Sequence, residues 1–318
     1  MMRFLLSIEK SLSKGLVCLV VLLTLISSRL SAQTTTDGLM MGKNLFCTGF
    51  MYTHDKWTDY WEGELKRENG NIGSITTQSL AYYGVYGITG KLNVIAMLPY
   101  VKTEASQGTL HSMEGIQDLS IAVKYNFLRV QTDNILFRAF GVLNFSTPLT
   151  DYTPDFLPLS LGAHTTNLTP RINTMVRLNQ GWFANVSAGY TFRSNTELDR
   201  PSYYDGSNFY NSSEVDMPNV FDVFASAGYQ KESLQVELNY IQQNTLGGAD
   251  IRRQDMPFVS NKMNAQRVGL LAMYYLPAPL KNLAVRGSVH YTVNGRNVGQ
   301  STTYLAGILY TFKFGTTE

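Results

Sequence analysis

Apolar and polar residues alternate along most of the chain, in segments of about ten residues that are separated by turn-forming residues. In residues 118–127, one face carries only apolar side chains, namely Leu119, Ile121, Val123, Tyr125 and Phe127. Such period-two alternation predicts a β-strand with one apolar and one polar face. Twelve segments of this kind occur, at residues 44–54, 74–87, 91–103, 118–127, 135–147, 165–178, 182–193, 220–230, 233–243, 265–276, 282–294 and 303–314.

The connections between these segments alternate in length. Those after even-numbered segments are short, as at residues 88–90 and 179–181, whereas most of those after odd-numbered segments are long, as at 55–73 and 194–219. This asymmetry is typical of a bacterial outer-membrane barrel with short periplasmic turns and long extracellular loops. The pattern therefore predicts an all-β fold, a transmembrane antiparallel β-barrel of about 12 strands with both ends of the barrel in the periplasm.

Composition favours a membrane barrel over a soluble β-sandwich. Charged residues make up only 16% of the chain, and the 12% of aromatic residues includes 19 tyrosines. Aromatic residues recur at the turn ends of the segments, as at Trp182, and at the loop ends, as at Tyr304, which is typical of two interfacial girdles. The apolar rows hold many Tyr, Ala and Gly residues rather than the Leu and Ile of a packed sandwich core. A mean hydropathy of −0.10 excludes a bundle of membrane-spanning helices.

The N-terminus has the pattern of a secretory signal peptide. A basic start is followed by the uncharged stretch 15–28 and by the small-residue site Leu30-Ser31-Ala32. Without residues 1–32, 22 basic and 23 acidic residues remain, which gives no indication of a nucleic-acid partner. We therefore expect a removed signal peptide at 1–32, a short periplasmic segment at 33–43, the barrel at 44–314 and a C-terminal tail at 315–318.

A family resemblance adds to this picture. Residues 115–127 contain Gly115, Asp118, Lys124, Tyr125 and Phe127 in a G-x-x-D and K-Y-x-F arrangement. This strand, together with the preceding hairpin at 86–94, resembles the outer-membrane proteins of the "MetA-pathway of phenol degradation" family. The resemblance is closest over residues 80–145. It implies a transporter-like or porin-like barrel related to channels for apolar and aromatic compounds, and it does not imply phenol as the substrate.

Candidate catalytic and metal-binding groups are few. His164 near Ser160, or His54 beside Asp55, could serve a barrel enzyme, but sequence adjacency does not make a catalytic triad. The loop acids lack the spacing of a calcium-binding loop. Cys47 is the only cysteine after residue 32, which excludes an internal disulfide and a zinc cluster of cysteines. We therefore predict no catalytic residue, no cofactor and no metal site.

The polar faces of the strands carry charged residues that lipid would not tolerate. A charge facing lipid at mid-depth costs about 2–4 kcal/mol, whereas a wet lumen solvates it. The strand phase therefore places eight basic and three acidic residues in the lumen: Asp118, Lys124, Arg138, Arg171, Arg177, Arg193, Asp222, Glu237, Arg267, Arg286 and Lys313. Their basic excess predicts a pore that attracts anions, and a salt-bridge network that plugs the barrel is the alternative.

These features predict a channel or transporter-like barrel of the Gram-negative outer membrane, and not an enzyme, for passive passage of small solutes. Anionic and aromatic solutes are the candidates. Twelve strands lie between filled eight-stranded and open sixteen-stranded barrels, so we expect a narrow or gated pore. A lipid hydrolase on a barrel scaffold and a structural protein acting through its surface loops are the alternatives. The expected partners are outer-membrane lipid, a small-molecule solute and the barrel-assembly machinery during insertion.

Overall fold

A computed structural model describes residues 33–205, 208–254 and 256–314, and the predicted signal peptide and C-terminal tail lie outside these ranges. Within the described ranges, twelve long strands form one closed barrel. No helix in this part of the chain is long and apolar enough to cross a membrane. The strands are β1 (Leu45–Trp57), β2 (Ile75–Gly87), β3 (Leu92–Ala105), β4 (Asp118–Gln131), β5 (Ile135–Pro148), β6 (Asn167–Leu178), β7 (Trp182–Arg193), β8 (Val220–Lys231), β9 (Leu234–Thr245), β10 (Asn264–Tyr275), β11 (Leu283–Arg296) and β12 (Thr302–Lys313).

Antiparallel pairing of consecutive strands builds the wall, and pairing of β1 with β12 closes it. Leu45 lies opposite Lys313, so the beginning of β1 and the end of β12 meet at one rim. That rim also carries the short turns, such as residues 232–233, while long loops such as 194–219 lie at the other rim. The predicted fold class, strand number and alternation of turns and loops are confirmed.

The outer face of the wall is apolar, as the strand phase predicts. Its side chains protrude without cover, and Leu238 and Ile308 are exposed by 67% and 59% respectively. Aromatic rings mark the turn rim, where Trp182 stacks edge-on with Tyr229 at 5.3 Å between centroids. A continuous apolar belt with aromatic residues at its rim is the surface of a barrel that spans an outer membrane.

Several strands extend beyond the predicted segments. β1 continues to Trp57, and β4 continues to Gln131 instead of ending at residue 127. The pairing of β4 with β5 shifts by one residue between Asn126 and Leu128. Such a β-bulge interrupts strict alternation, because an extra residue changes which side chains point inward. The alternation of apolar and polar residues therefore ends at the bulge, whereas the strand itself continues beyond it.

The long loops are folded into an ordered cap over the outer rim. An apolar cluster joins the loops 149–166, 194–219 and 246–263, and it contains Leu198, Tyr203, Val215, Met217, Phe258 and Val259 with Leu157 and Ala163 beside them. Seven short strands lie between the barrel strands, at Asp59–Glu62, Leu65–Glu68, Met113–Ile116, Thr196–Glu197, Tyr203–Tyr204, Phe209–Tyr210 and Glu214–Val215.

Residues 33–41, here called the plug segment, lie inside the barrel, whereas the sequence indicated a periplasmic segment at 33–43. Met41 is buried in a lumenal apolar cluster that also contains Cys47, Tyr83 and Met273. The charged residues on the polar faces did not indicate that, near the turn rim, several strands are apolar on the inner face too. The plug segment covers this apolar surface, and its burial stabilises the inserted position.

We predict that Val123→Arg impairs membrane insertion far more than Met97→Arg. Val123 faces lipid and is 43% exposed, so an arginine there costs about 2–4 kcal/mol at mid-depth. Met97 lies opposite the lumenal Tyr83 and is 36% exposed within the barrel, where water solvates an arginine. Refolding into lipid vesicles, read from the gel mobility of unheated barrels, compares them. Equal yields would contradict the assigned strand phase.

Candidate functional site in the barrel lumen

The plug segment is organised by the side chain of Asp37. The Asp37 carboxylate accepts hydrogen bonds from the Thr34 N–H and the Thr34 hydroxyl through Oδ2, and from the Leu39 N–H through Oδ1 at 3.0 Å. An aspartate that bonds nearby backbone N–H groups stabilises a compact turn. These contacts bend residues 34–38, so the carboxylate lies at the inner end of the turn.

Side chains of the barrel wall hold this turn almost entirely by donating hydrogen bonds to it. Lys124 on β4 places its Nζ 3.0 Å from Thr34 O, 2.7 Å from Asp37 O and 2.8 Å from Asp37 Oδ1. The Asn173 amide on β6 donates to Thr35 O at 2.8 Å and to Asp37 O at 3.2 Å. The Asn185 amide on β7 donates to Thr36 O at 2.9 Å. Three strands thus grip one turn.

The ion pair between Lys124 and Asp37 is the strongest of these contacts. Lys124 has no exposed surface, and its three ammonium protons have three acceptors. The Phe140 ring lies 5.0 Å from its Nζ and adds a cation–π contact. Removing one partner of a buried ion pair typically costs about 3–5 kcal/mol, because the other charge stays buried without compensation. Retention of the plug segment therefore depends on Asp37.

Close packing also fixes the plug segment. Gly38 lies against Met175 on β6, so a Cβ atom added at Gly38 would be 2.4 Å from the Met175 Cβ. Asn93 on β3 is fully buried beside Gln33 and Met41, and its side-chain oxygen accepts the Met41 N–H at 2.7 Å in the amide orientation that satisfies both groups. Only a glycine fits at residue 38 while the turn is inserted.

The remaining lumenal acids are each engaged. Asp222 pairs with Arg171 at 2.7 Å, and Arg171 also donates to Ser187. Asp118 accepts the hydroxyl of Tyr152 at 2.6 Å, and Glu237 contacts the Gln235 amide at 3.3 Å. The structure thus gives Arg171 an acidic partner, which agrees at this position with the salt-bridge alternative left open by the sequence.

The other inward basic residues are distributed around the wall. Arg177 donates to Gln230 O at 3.2 Å, and the half-buried Arg193 and Lys313 lie at opposite ends of the lumen. The Nε atoms of Arg138, Arg267 and Arg286 are buried and have no hydrogen-bond partner among the described residues. These three side chains add positive charge along the bore.

The outer mouth is narrowed by the loop at 149–166, which turns inward. Thr103 on β3 donates to Leu159 O, and Leu159 is fully buried. The Tyr152 hydroxyl bonds Asp118, and burial together with this bond raises the pKa of Tyr152 well above its usual range. This loop therefore narrows the bore at the end opposite the plug segment.

The outer loops line a cavity of about 510 Å³, here called the vestibule. Its wall includes Phe156, Arg200, Tyr204 and Phe258. Asp250 supports the vestibule from one side through a salt bridge to Arg296 at 2.6 Å, and that bond lowers the pKa of Asp250. The vestibule lies at the extracellular end and is lined by both polar and apolar side chains.

The catalytic alternative gains no support from the geometry. The Ser160 hydroxyl donates to backbone carbonyls, with Oγ 2.8 Å from Thr153 O and 2.7 Å from Gly162 O, and not to a histidine. The ring of His164 instead faces Asp151, at 3.7 Å, and Tyr152. Among the described residues, no group of three His, Cys, Asp or Glu side chains could hold a metal ion.

The sequence did not identify the residues that grip the plug segment, apart from Lys124. Asn173 and Asn185 lie on the polar faces of predicted strands, but an uncharged amide there carries no signal of its own. Asp37 lies in the run Thr34-Thr35-Thr36-Asp37-Gly38, which has turn chemistry and no periodicity. A turn-forming acid just before the first strand is the only available hint.

The closed barrel, its apolar outer belt and its polar bore are the architecture of an outer-membrane β-barrel. The chain belongs to the family described as "Putative MetA-pathway of phenol degradation", whose model matches residues 69–304. The family resemblance noted in the sequence is thus confirmed. Direct comparison with curated protein sequences gives no match.

Solved structures of similar shape are also membrane barrels. An outer membrane channel from Pseudomonas putida F1 has a TM-score of 0.69 at 11% identity, covering 89% of this chain and 100% of that one. The translocator domain of the autotransporter NalP from Neisseria meningitidis has a TM-score of 0.42 at 9% identity, covering 86% and 90%. The TodX monoaromatic hydrocarbon channel has a TM-score of 0.43 at 10% identity, covering 87% and 91%. The first match supports the fold of this chain, which is that of a bacterial outer-membrane barrel.

We predict that Asp37→Ala releases the plug segment into the periplasmic solvent. The change removes the charged partner of Lys124 and the three hydrogen bonds to the carboxylate that shape the turn. The reporter is Thr35→Cys, and the reagent is a polyethylene-glycol maleimide that is too bulky to enter the lumen. The reporter cysteine should react at least about tenfold faster in the Asp37→Ala protein than in the protein that keeps Asp37. A tenfold change corresponds to about 1.4 kcal/mol.

The control for this experiment is the protein without the reporter, in which Cys47 is buried and should not react. Equal labelling rates with and without Asp37 would show that the ion pair does not retain the segment.

Proposed function

We propose that the protein is a passive channel for small solutes whose bore is closed, in the state described, by the plug segment. The observation that carries the proposal is a polar bore whose side chains hold a turn that can leave without breaking the barrel wall. The wall of twelve strands needs no internal chain to complete its hydrogen bonding, because β1 and β12 already close it. The plug segment is therefore an occupant of the bore and not a component of the wall.

The charge distribution supports a preference for anions. When the plug segment leaves, the lumen loses the Asp37 carboxylate and gains an unpaired Lys124 ammonium. Arg138, Arg267 and Arg286 also contribute positive charge, and their buried Nε atoms have no hydrogen-bond partner among the described residues. A one-sign charge in a bore with low-dielectric walls concentrates counter-ions. Released channels should thus favour anions, and aromatic acids are among the solutes to test.

Insertion of such a barrel requires lipid on its apolar belt, and we expect the barrel-assembly machinery to act during that step. A signal peptide at 1–32 would deliver the chain to the periplasm first. Removal of residues 1–32 would leave Gln33 at the beginning of the plug segment, beside Asn93 near the turn rim. Maturation and closure of the bore would then be consecutive events.

We predict that Gly38→Leu raises single-channel conductance several-fold above that of the unmodified protein in planar bilayers. The new side chain cannot fit beside Met175 and displaces the plug segment without altering the wall. In a salt gradient, the reversal potential should show anion preference. The preference should weaken at 1 M salt, where screening shortens to about 3 Å.

Gly90→Leu is the matched control, because a Cβ at Gly90 in the turn 88–91 meets nothing within 4 Å. It should conduct like the unmodified protein. A folded Gly38→Leu barrel without current would overturn the channel proposal, and cation preference would overturn its electrostatic part.

A further inference from the structure

The wall groups that hold the plug segment are hydrogen-bond donors, and the groups of the plug segment that they hold are acceptors. From the wall come the Lys124 ammonium and the side-chain amides of Asn173 and Asn185, which act here as donors. From the plug segment come the Asp37 carboxylate and the backbone carbonyls of residues 34–37, which act as acceptors. The arrangement has the chemistry of a receptor that holds an acidic, carbonyl-bearing ligand.

From this asymmetry we propose that Lys124, Asn173 and Asn185 form a solute-binding site for small carboxylates with neighbouring carbonyl or hydroxyl acceptors, which Asp37 occupies as a tethered mimic. These three residues are called the donor cradle below. This inference rests on the proposed channel function, because a solute reaches the cradle only through the bore.

Burial makes the donor cradle selective. Lys124 and Asn173 have no exposed surface while the plug segment is inserted. When the segment leaves, each donor must find water or another acceptor, since an unsatisfied buried donor is costly. A carboxylate satisfies an ammonium by a charge-assisted bond that a neutral amide does not match. Ligands with one carboxylate should therefore outcompete neutral ligands of the same shape.

Side chains around the cradle support its specificity. The Ser187 hydroxyl lies 2.7 Å from the Asn173 side-chain oxygen, which orients the Asn173 NH₂ toward the ligand. The Phe140 ring lies 5.0 Å from the Lys124 Nζ and covers one side of the ammonium. A fixed amide and a shielded ammonium hold a carboxylate and an adjacent carbonyl at the same time. The ligand class follows from this geometry: one negative charge with a carbonyl or hydroxyl near it.

The test uses two probes that differ only in charge. N-acetyl-aspartate amide reproduces Asp37 with its flanking carbonyls, and N-acetyl-asparagine amide is its neutral isostere. Both are added to full-length Gly38→Leu channels in planar bilayers, at constant ionic strength. We expect the aspartate probe to interrupt the current at a concentration at least about tenfold lower than the asparagine probe does.

Adding Lys124→Gln to the Gly38→Leu protein should abolish this discrimination. Heat-dependent gel mobility first establishes that each barrel is folded. Equal block by the two probes, or unchanged discrimination after Lys124→Gln, would overturn the carboxylate site and leave the channel proposal intact.

Isothermal titration of the same folded variants in detergent measures binding even when no current flows. If the channels conduct but both probes block them equally, and if titration shows no tighter binding of the aspartate probe, the binding site is rejected and the channel proposal stands. Absence of current together with preferential binding of the aspartate probe would reject the channel and support the site.

Discussion

A buried ammonium must have a partner, and Lys124 has its partner on a segment that does not belong to the barrel wall. The Lys124 side chain points inward because the outer face of β4 contacts lipid, and its Nζ finds Asp37 at 2.8 Å. The plug segment, the packing at Gly38 and the orientation of Asn173 are arranged around this one pair. Loss of the pair would remove a carboxylate from a bore that is already basic and would leave the Lys124 ammonium without its charged partner.

The two ends of the bore are narrowed by different physical means. At the turn rim, the plug segment is held by polar contacts and by burial of Met41 in an apolar patch. At the loop rim, residues 149–166 are tied to the wall through Thr103 and Asp118. The plug segment is held by one ion pair, a few side-chain amides and the burial of Met41, whereas the loop belongs to an extended cap with its own apolar cluster.

The wall could be predicted from the sequence because lipid imposes a strict rule on every second residue of a strand. That rule gave twelve strands, the sides of Val123 and Lys124, and the alternation of turns with loops. It gave neither the bulge near Asn126, where alternation itself fails, nor the plug segment, whose residues follow no period. Asp37 became significant only when the fold brought it 2.8 Å from a residue 87 positions away. The partner of Arg171, which is Asp222, was likewise invisible, because their strands are joined only through β7.

Hydrogen exchange of the plug-segment amides, followed by mass spectrometry in the intact barrel, tests the central claim most directly. The Thr34 and Leu39 N–H groups both donate to Asp37 inside the lumen. Amides that are hydrogen-bonded in a closed interior exchange only when the structure opens. We expect the peptide covering residues 33–41 to exchange at least about 100-fold more slowly than in the urea-unfolded chain, which corresponds to about 2.8 kcal/mol of protection. Exchange of this peptide at the unfolded rate, in a barrel whose strands stay protected, would contradict a segment held in the bore by Lys124.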